Sequence, residues 1–150
     1  PAAGLYDFQP LSAATPPTPA PRSRGYHSVM LTGRFEASVI EIAGDAAGLR
    51  DLVEALGADA GSFREIAFTR EVPPHALLVA VRIKVKGGSG TVRVLRIGDI
   101  LHVNGSAERL RLMAEAVAAV ASGGPRLDER YAPGHAYLDE KSDAFAVAAR

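Results

Sequence analysis

The sequence predicts an α+β domain: a largely antiparallel sheet with two helices packed on one face, preceded by an extended, proline-rich N-terminal arm. Three observations carry this expectation. Six of the ten prolines lie at Pro1, Pro10, Pro16, Pro17, Pro19 and Pro21, before any regular hydrophobic pattern begins. A strand–glycine–cap–helix pattern occurs at Gly44 and again 61 positions later at Gly105. In residues 77–86, Val79, Val81, Ile83 and Val85 alternate with Ala80, Arg82, Lys84 and Lys86, which is the period of a strand with one buried and one wet face.

The arm is assigned to residues 1–34 and the domain to 35–150. Residues 11–21 contain only Pro, Ala, Thr, Ser and Leu. Proline fixes φ and lacks an N–H, so extended polyproline II is expected there in place of a helix or a central strand. Leu5, Tyr6, Phe8, Leu11 and Tyr26 flank or enter this stretch. Aromatics are unusual in a pure linker, which makes these residues candidates for docking on a partner.

Residues 35–43 are rich in Val and Ile and predict the first strand. Gly44-Asp45 follows, and Leu49, Leu52, Val53 and Leu56 then repeat at helical spacing. Asp45 is suited to cap the free N–H groups of the first turn, and Gly57 to stop the helix. Residues 63–70 alternate Ile66 and Phe68 with charged neighbours before Pro73-Pro74 breaks the chain. After the strand at 77–86, Gly87-Gly88-Ser89-Gly90 predicts a hairpin loop and residues 91–97 the returning strand. Gly98-Asp99 fits a type II′ turn into a strand at 100–104. Ser106 then caps a helix whose buried stripe is Leu110, Met113, Ala114, Val117 and Val120, ended by Gly123-Gly124-Pro125. A turn at Ala132-Pro133-Gly134 and a short strand near 144–148 close the domain. The expected core comprises Ile40, Ile42, Leu49, Leu52, Val53, Leu56, Val79, Val81, Ile83, Val103, Leu110, Met113 and Val117.

Composition narrows the function. In 150 residues there are 17 Lys plus Arg and 17 Asp plus Glu, a zero net charge that argues against a dedicated nucleic-acid binder. With no cysteine there is no disulfide, thiolate zinc site or cysteine nucleophile. Five Phe, four Tyr and no Trp are thin for a base-stacking or carbohydrate platform. No run approaches the roughly 18 apolar residues of a membrane helix, so no membrane segment is expected. No basic-then-apolar leader pattern is present, which points to a cytoplasmic location.

No catalytic residue, cofactor or metal site is predicted. The glycines at 44 and 105 lack the spacing of a phosphate-binding loop, and Gly87-Gly88-Ser89-Gly90 joins two strands. None of His27, His75, His102 and His135 forms a short-spaced ligand pair. His135, near Asp128, Glu129, Asp139 and Glu140, is the one histidine whose neighbours suit a metal, a small enzyme site or a partner contact, with a solvated turn as the plainer alternative. Arg82, Lys84, Lys86, Arg93 and Arg96 suggest a basic strip across the exposed face of the hairpin, which suits a solvated edge or an acidic protein partner better than a nucleic acid.

Three segments, "VIEIAGDAAGLRDLVEALG", "GDILHVNGSAERLRLMAEAVAAVA" and "YAPGHAYLDEKSDAFAV", resemble the immunity protein 32 family of bacterial polymorphic toxin systems over residues 35–147. The corresponding positions are Gly44-Asp45, Gly105-Ser106 and Gly134-His135…Leu138. The resemblance implies a non-enzymatic protein that neutralises a cognate toxin by binding it. The proline-rich arm departs from the family pattern and motivates the alternative, an accessory or structural subunit of a larger assembly anchored by residues 1–33. Either reading makes the partner a protein, and a second copy of this chain is a further candidate for the groove that receives the arm.

Overall fold

A computed structural model describes residues 29–70 and 77–150. Its elements are β1 (Leu31–Glu36), β2 (Val39–Gly44), α1 (Ala46–Leu56), β3 (Phe63–Ala67), β4 (Ala80–Lys86), β5 (Arg93–Ile97), β6 (Ile100–Ser106), α2 (Ala107–Ala121), β7 (Leu127–Glu129) and β8 (Ala144–Ala149). The α+β class, the two helices and the mostly antiparallel pairing are present. The strands divide between two four-stranded sheets, ordered β1-β2-β8-β7 and β3-β4-β6-β5, where one sheet was expected. Each sheet has a central parallel pair, β2 with β8 and β4 with β6, flanked by antiparallel neighbours.

This topology explains the sequence repeat. Each half of the chain runs hairpin, helix, then two further strands: β1-β2-α1-β3-β4 and β5-β6-α2-β7-β8. The last two strands of each half join the sheet begun by the other half's hairpin. The two strand-to-helix glycines do the same work. A Cβ on Gly44 would lie 2.6 Å from the Met30 carbonyl oxygen, and one on Gly105 would lie 2.8 Å from the Val92 Cγ2 and 3.3 Å from the Thr91 carbonyl oxygen. Thr91 stands 61 positions after Met30, so both junctions press on the chain entering their own hairpin.

Both helices are capped as their sequences predict. Asp45 Oδ1 accepts from the Gly48 N–H at 2.7 Å and Ser106 Oγ from the Arg109 N–H at 3.2 Å. Gly57 closes α1 by donating its N–H to the Val53 oxygen, but at φ −92°, so glycine's left-handed freedom is not used there. The helices pack on each other and over the inner faces of both sheets, around one core cluster that draws on every layer.

Most of the expected core is buried, with two exceptions. Val53 is half-buried on the flank of α1. Val79 is 54% exposed. The alternation of β4 does not extend back to it, because Leu78 donates its N–H to the Gly33 oxygen and Leu77 bridges Arg34, pulling the entering chain across to β1.

The arm boundary also moves. Leu31 and Thr32 are buried in β1, so the folded body begins at least four residues before Phe35. The single strand expected over 35–43 is instead the turn and second strand of a hairpin. Its two-residue turn is Ala37-Ser38, at φ 52° and 67°, the positive-φ pair of a type I′ turn. Neither residue is Gly, Asn or Asp, so the turn chemistry is not legible in the sequence. At the equivalent place in the other half, Gly98 takes φ 65° and Asp99 does not, as a type II′ turn requires. Holding L-residues in the left-handed region costs roughly 1–2 kcal/mol each. Replacing Ala37-Ser38 by Asn-Gly is therefore expected to raise stability by about 1–2 kcal/mol, seen as a higher urea midpoint at an unchanged slope. No gain would mean that the turn carries no such strain.

Candidate interaction surface

The second sheet has one face under the helices and one that no element among the described residues covers. Its strand register sets the open face in three cross-strand rows. Phe63, Lys84, Asn104 and Arg93 form one, Glu65, Arg82, His102 and Leu95 the next, and Ala67, Ala80, Ile100 and Ile97 the third. Phe63 and Ile97 are each 61% exposed, and Val79 lies at the same end of the sheet as Ile97. These are three of the five large apolar residues exposed among the described residues.

The charge on this face is unbalanced. Arg82 pairs with Glu65 at 2.9 Å and Arg93 with Asp139 at 3.6 Å, whereas Lys84 and Lys86 have no ion-pair partner among the described residues. Arg96 does not belong to the basic strip expected from the sequence. Its parity turns it to the opposite face, where its guanidinium stacks 3.7 Å over the Phe35 ring and donates to the Gly98 oxygen. The outer face of the first sheet differs. There Arg34 and Arg126 pair with Glu41, and Arg126 with Asp128, so charge of both signs is interspersed over Ala43, Ala146 and Ala148.

A polar cleft of about 290 Å³ adjoins the open face, lined among others by Lys86, Thr91, Arg93, Asn104, Ser106 and Asp139. The Gly87–Gly90 loop reaches the N-terminus of α2 here, and the Ser106 N–H donates to the Gly90 oxygen at 3.3 Å. The Lys141 backbone N–H, donating to Asp139, together with the Arg93 charge, holds the Asp139 carboxyl below the usual aspartate range.

His135 is not on the open face. Its side chain is 12% exposed and all its polar atoms are occupied. Nδ1 accepts from the Tyr137 and Leu138 N–H groups at 3.1 and 3.0 Å, and Nε2 lies 3.0 Å from Glu129 Oε1. An Nδ1 that accepts twice carries no proton, which places the ring proton on Nε2, donating to Glu129. The Tyr137 hydroxyl donates to the other oxygen of the same carboxylate, and its ring meets the imidazole edge to face. Burial, then the hydrogen bond to Glu129 and that carboxylate's charge, push the Tyr137 hydroxyl above its ordinary range. Of the carboxylates near His135 in sequence, only Glu129 contacts it. Asp128 pairs with Arg126, and Asp139 with Thr91 and Arg93. No cluster of three or more His, Asp or Glu suited to a metal occurs among the described residues.

The role of this cluster is to hold residues 130–143 against the outer edge of β5. The Val92 N–H donates to the Tyr137 oxygen, the Asp139 N–H to the Val92 oxygen and the Asp143 N–H to the Val94 oxygen. Arg109 of α2 ties the same segment down through the Ala136 oxygen at 2.7 Å. His135→Ala leaves two backbone N–H groups and a half-buried carboxylate short of partners, at a cost of about 2–4 kcal/mol. The expected readout is a lower urea midpoint together with faster hydrogen exchange at Val92 and Asp143. An unchanged midpoint would show that the segment is held without the imidazole.

The other residues singled out as partner contacts, Leu5, Tyr6, Phe8, Leu11 and Tyr26, lie outside the described residues. Those the sequence reading missed are Phe63 and Ile97. The signal was present for Phe63, which shares its strand parity with charged Glu65, opposite to buried Phe68. Comparisons with protein-family models, with curated proteins and with solved structures found no match to this chain.

Proposed function

We propose that this chain is a non-enzymatic protein-binding module of the toxin-immunity type, which captures a toxin through the open face of its second sheet. The observation that carries the reading is the composition of that face. Exposed Ile97 adjoins Leu95 and Ile100 at one corner of the face, exposed Phe63 stands beside Lys84 at the opposite corner, and Arg82 and His102 lie between them. Large exposed apolar side chains interspersed with polar ones on one sheet face suit a protein interface, and Lys84 and Lys86, without an ion-pair partner among the described residues, favour an acidic surface opposite. The sequence resemblance to immunity protein 32 supplies the class of partner.

The test is co-expression of this chain with each product encoded beside it. The expected result is that one neighbour arrests growth, that this chain restores it, and that Ile97→Asp with Lys84→Glu weakens capture of that neighbour at least about tenfold. The absence of any growth-arresting neighbour relieved by this chain would remove the immunity reading. Stoichiometric copurification with a larger assembly would favour the accessory-subunit alternative.

A further inference from the structure

We propose that the outer edge of β3 receives an additional strand from an extended, acidic segment of the partner protein. The proposal deepens the binding reading above, and rests on it for the class of partner.

Three of the four sheet edges are covered or too short. β1 is covered by Thr69, whose N–H donates to the Leu31 oxygen, and by Leu78, whose N–H donates to the Gly33 oxygen. β5 is covered by residues 137–143 through Val92 and Val94. β7 is only three residues long. β3 is five residues long, and among the described residues nothing pairs with its outer side. The Ser62 oxygen and the Phe68 N–H bond inward to Val85 and Val79. By strand alternation Arg64 and Ile66 also bond inward, so the N–H and C=O groups of Phe63, Glu65 and Ala67 point outward. Those same residues place their side chains on the open face. Such an edge is a template for strand addition, in which main-chain bonds supply affinity and side chains supply choice.

A second copy of this chain is the weaker occupant. Antiparallel self-pairing over the full length of β3 sets Glu65 opposite Glu65, a two-residue slip one way sets Arg64 opposite Arg64, and only a slip the other way, which pairs residues 65–67 alone and sets Ile66 opposite Ile66, avoids a like-charge pair. Like charges directly opposite are destabilising. Charge selects an acidic strand. Glu65 is neutralised by Arg82 at 2.9 Å, while Lys84, directly opposite Phe63 in the ladder, has no ion-pair partner among the described residues. Lys86 continues the positive charge along β4, one row further on. An added strand with an acidic side chain beside Phe63 brings a carboxylate within reach of the flexible Lys84 ammonium, while Phe63 covers the carboxylate's methylenes.

The probes are two synthetic heptapeptides, one of alternating glutamate and valine and one of alternating lysine and valine, added to the full chain. The glutamate peptide is expected to slow hydrogen exchange at the Phe63, Glu65 and Ala67 amides at least about tenfold, and to bind at least about tenfold more tightly than the lysine peptide. Ala67→Pro removes an outward N–H only, which an edge strand tolerates, and should weaken binding at least about tenfold with the melting temperature of the free chain nearly unchanged. The exchange measurement on the unaltered chain stands without that variant. Equal binding of both peptides, protection elsewhere than these amides, or a chain dimer abolished by Ala67→Pro would each overturn the proposal. A neighbouring toxin captured equally well by the Ala67→Pro chain would overturn the β3 edge and leave the immunity reading intact. Peptide addition at β3 with no neutralised toxin would uphold the edge and remove that reading.

Discussion

Gly48→Ala is expected to destabilise the protein by about 3 kcal/mol, although alanine is the better helix former by about 1 kcal/mol. Gly48 lies in the first turn of α1, where the chain entering β1 crosses the helix. A Cβ there would lie 2.0 Å from the Met30 carbonyl oxygen and 2.7 Å from its carbon. The obstacle is backbone, held from both sides. Met30 accepts from the Asp45 N–H at 3.0 Å and donates to Asp45 Oδ1 at 3.2 Å, the same oxygen that caps the Gly48 N–H. Relieving the clash therefore requires the helix to part from the entering chain and to give up the cap. Gly57→Ala is the control, since its Cβ would meet only the Val53 oxygen at 3.4 Å, with φ at −92°. A fall in urea midpoint for Gly48→Ala and little change for Gly57→Ala is the expected pair of results. Equal midpoints would show that α1 and β1 are not locked together at Met30.

Truncation at the start of the domain carries the largest effect. A chain beginning at Arg34 is expected to lose at least about 5 kcal/mol relative to one beginning at Val29, a large part of the 5–15 kcal/mol typical of a domain. The five residues removed include Leu31, which is 2% exposed in the core, and Thr32, whose hydroxyl donates to the Ala43 oxygen. They also include the partners of Asp45, Thr69 and Leu78. The edge of β2 would lose half of its antiparallel neighbour, and Phe68, which packs against Gly33, would lose its seat. Thermal melts of the two truncated chains distinguish this from a dispensable arm, for which both would melt alike. The sequence placed the end of the arm at residue 34 because Leu31-Thr32-Gly33 carries too few apolar residues to register as a strand alone.

The elements with a strong local signal were legible. Asp45 and Ser106 announced their helices because a short polar side chain before an apolar 3.6-residue repeat has few other uses. Val81, Ile83 and Val85 announced β4 because period-two burial follows directly from the pleat. The repeat around Gly44 and Gly105 was visible as sequence, and its meaning is a steric one that local reasoning approaches, since each glycine passes close to another stretch of backbone.

What only the tertiary structure decided were matters of long-range pairing. Nothing local to β4 or β8 says that each crosses to the sheet begun by the other half, so two sheets stand where one was expected. The Ala37-Ser38 turn takes positive φ at both residues because the flanking strands pair on either side of it, which overrides what those residues prefer alone. His135 stood among four nearby carboxylates in sequence, and folding joined it to one and turned the ring inward on two backbone N–H groups. The open edge of β3 is likewise a property of pairing: a strand is an edge only by virtue of what the rest of the chain leaves beside it. Composition, periodicity and capping are written residue by residue and survive in the sequence alone. Partnership between distant strands depends on the burial of a common core, and is settled only when the whole chain closes around it.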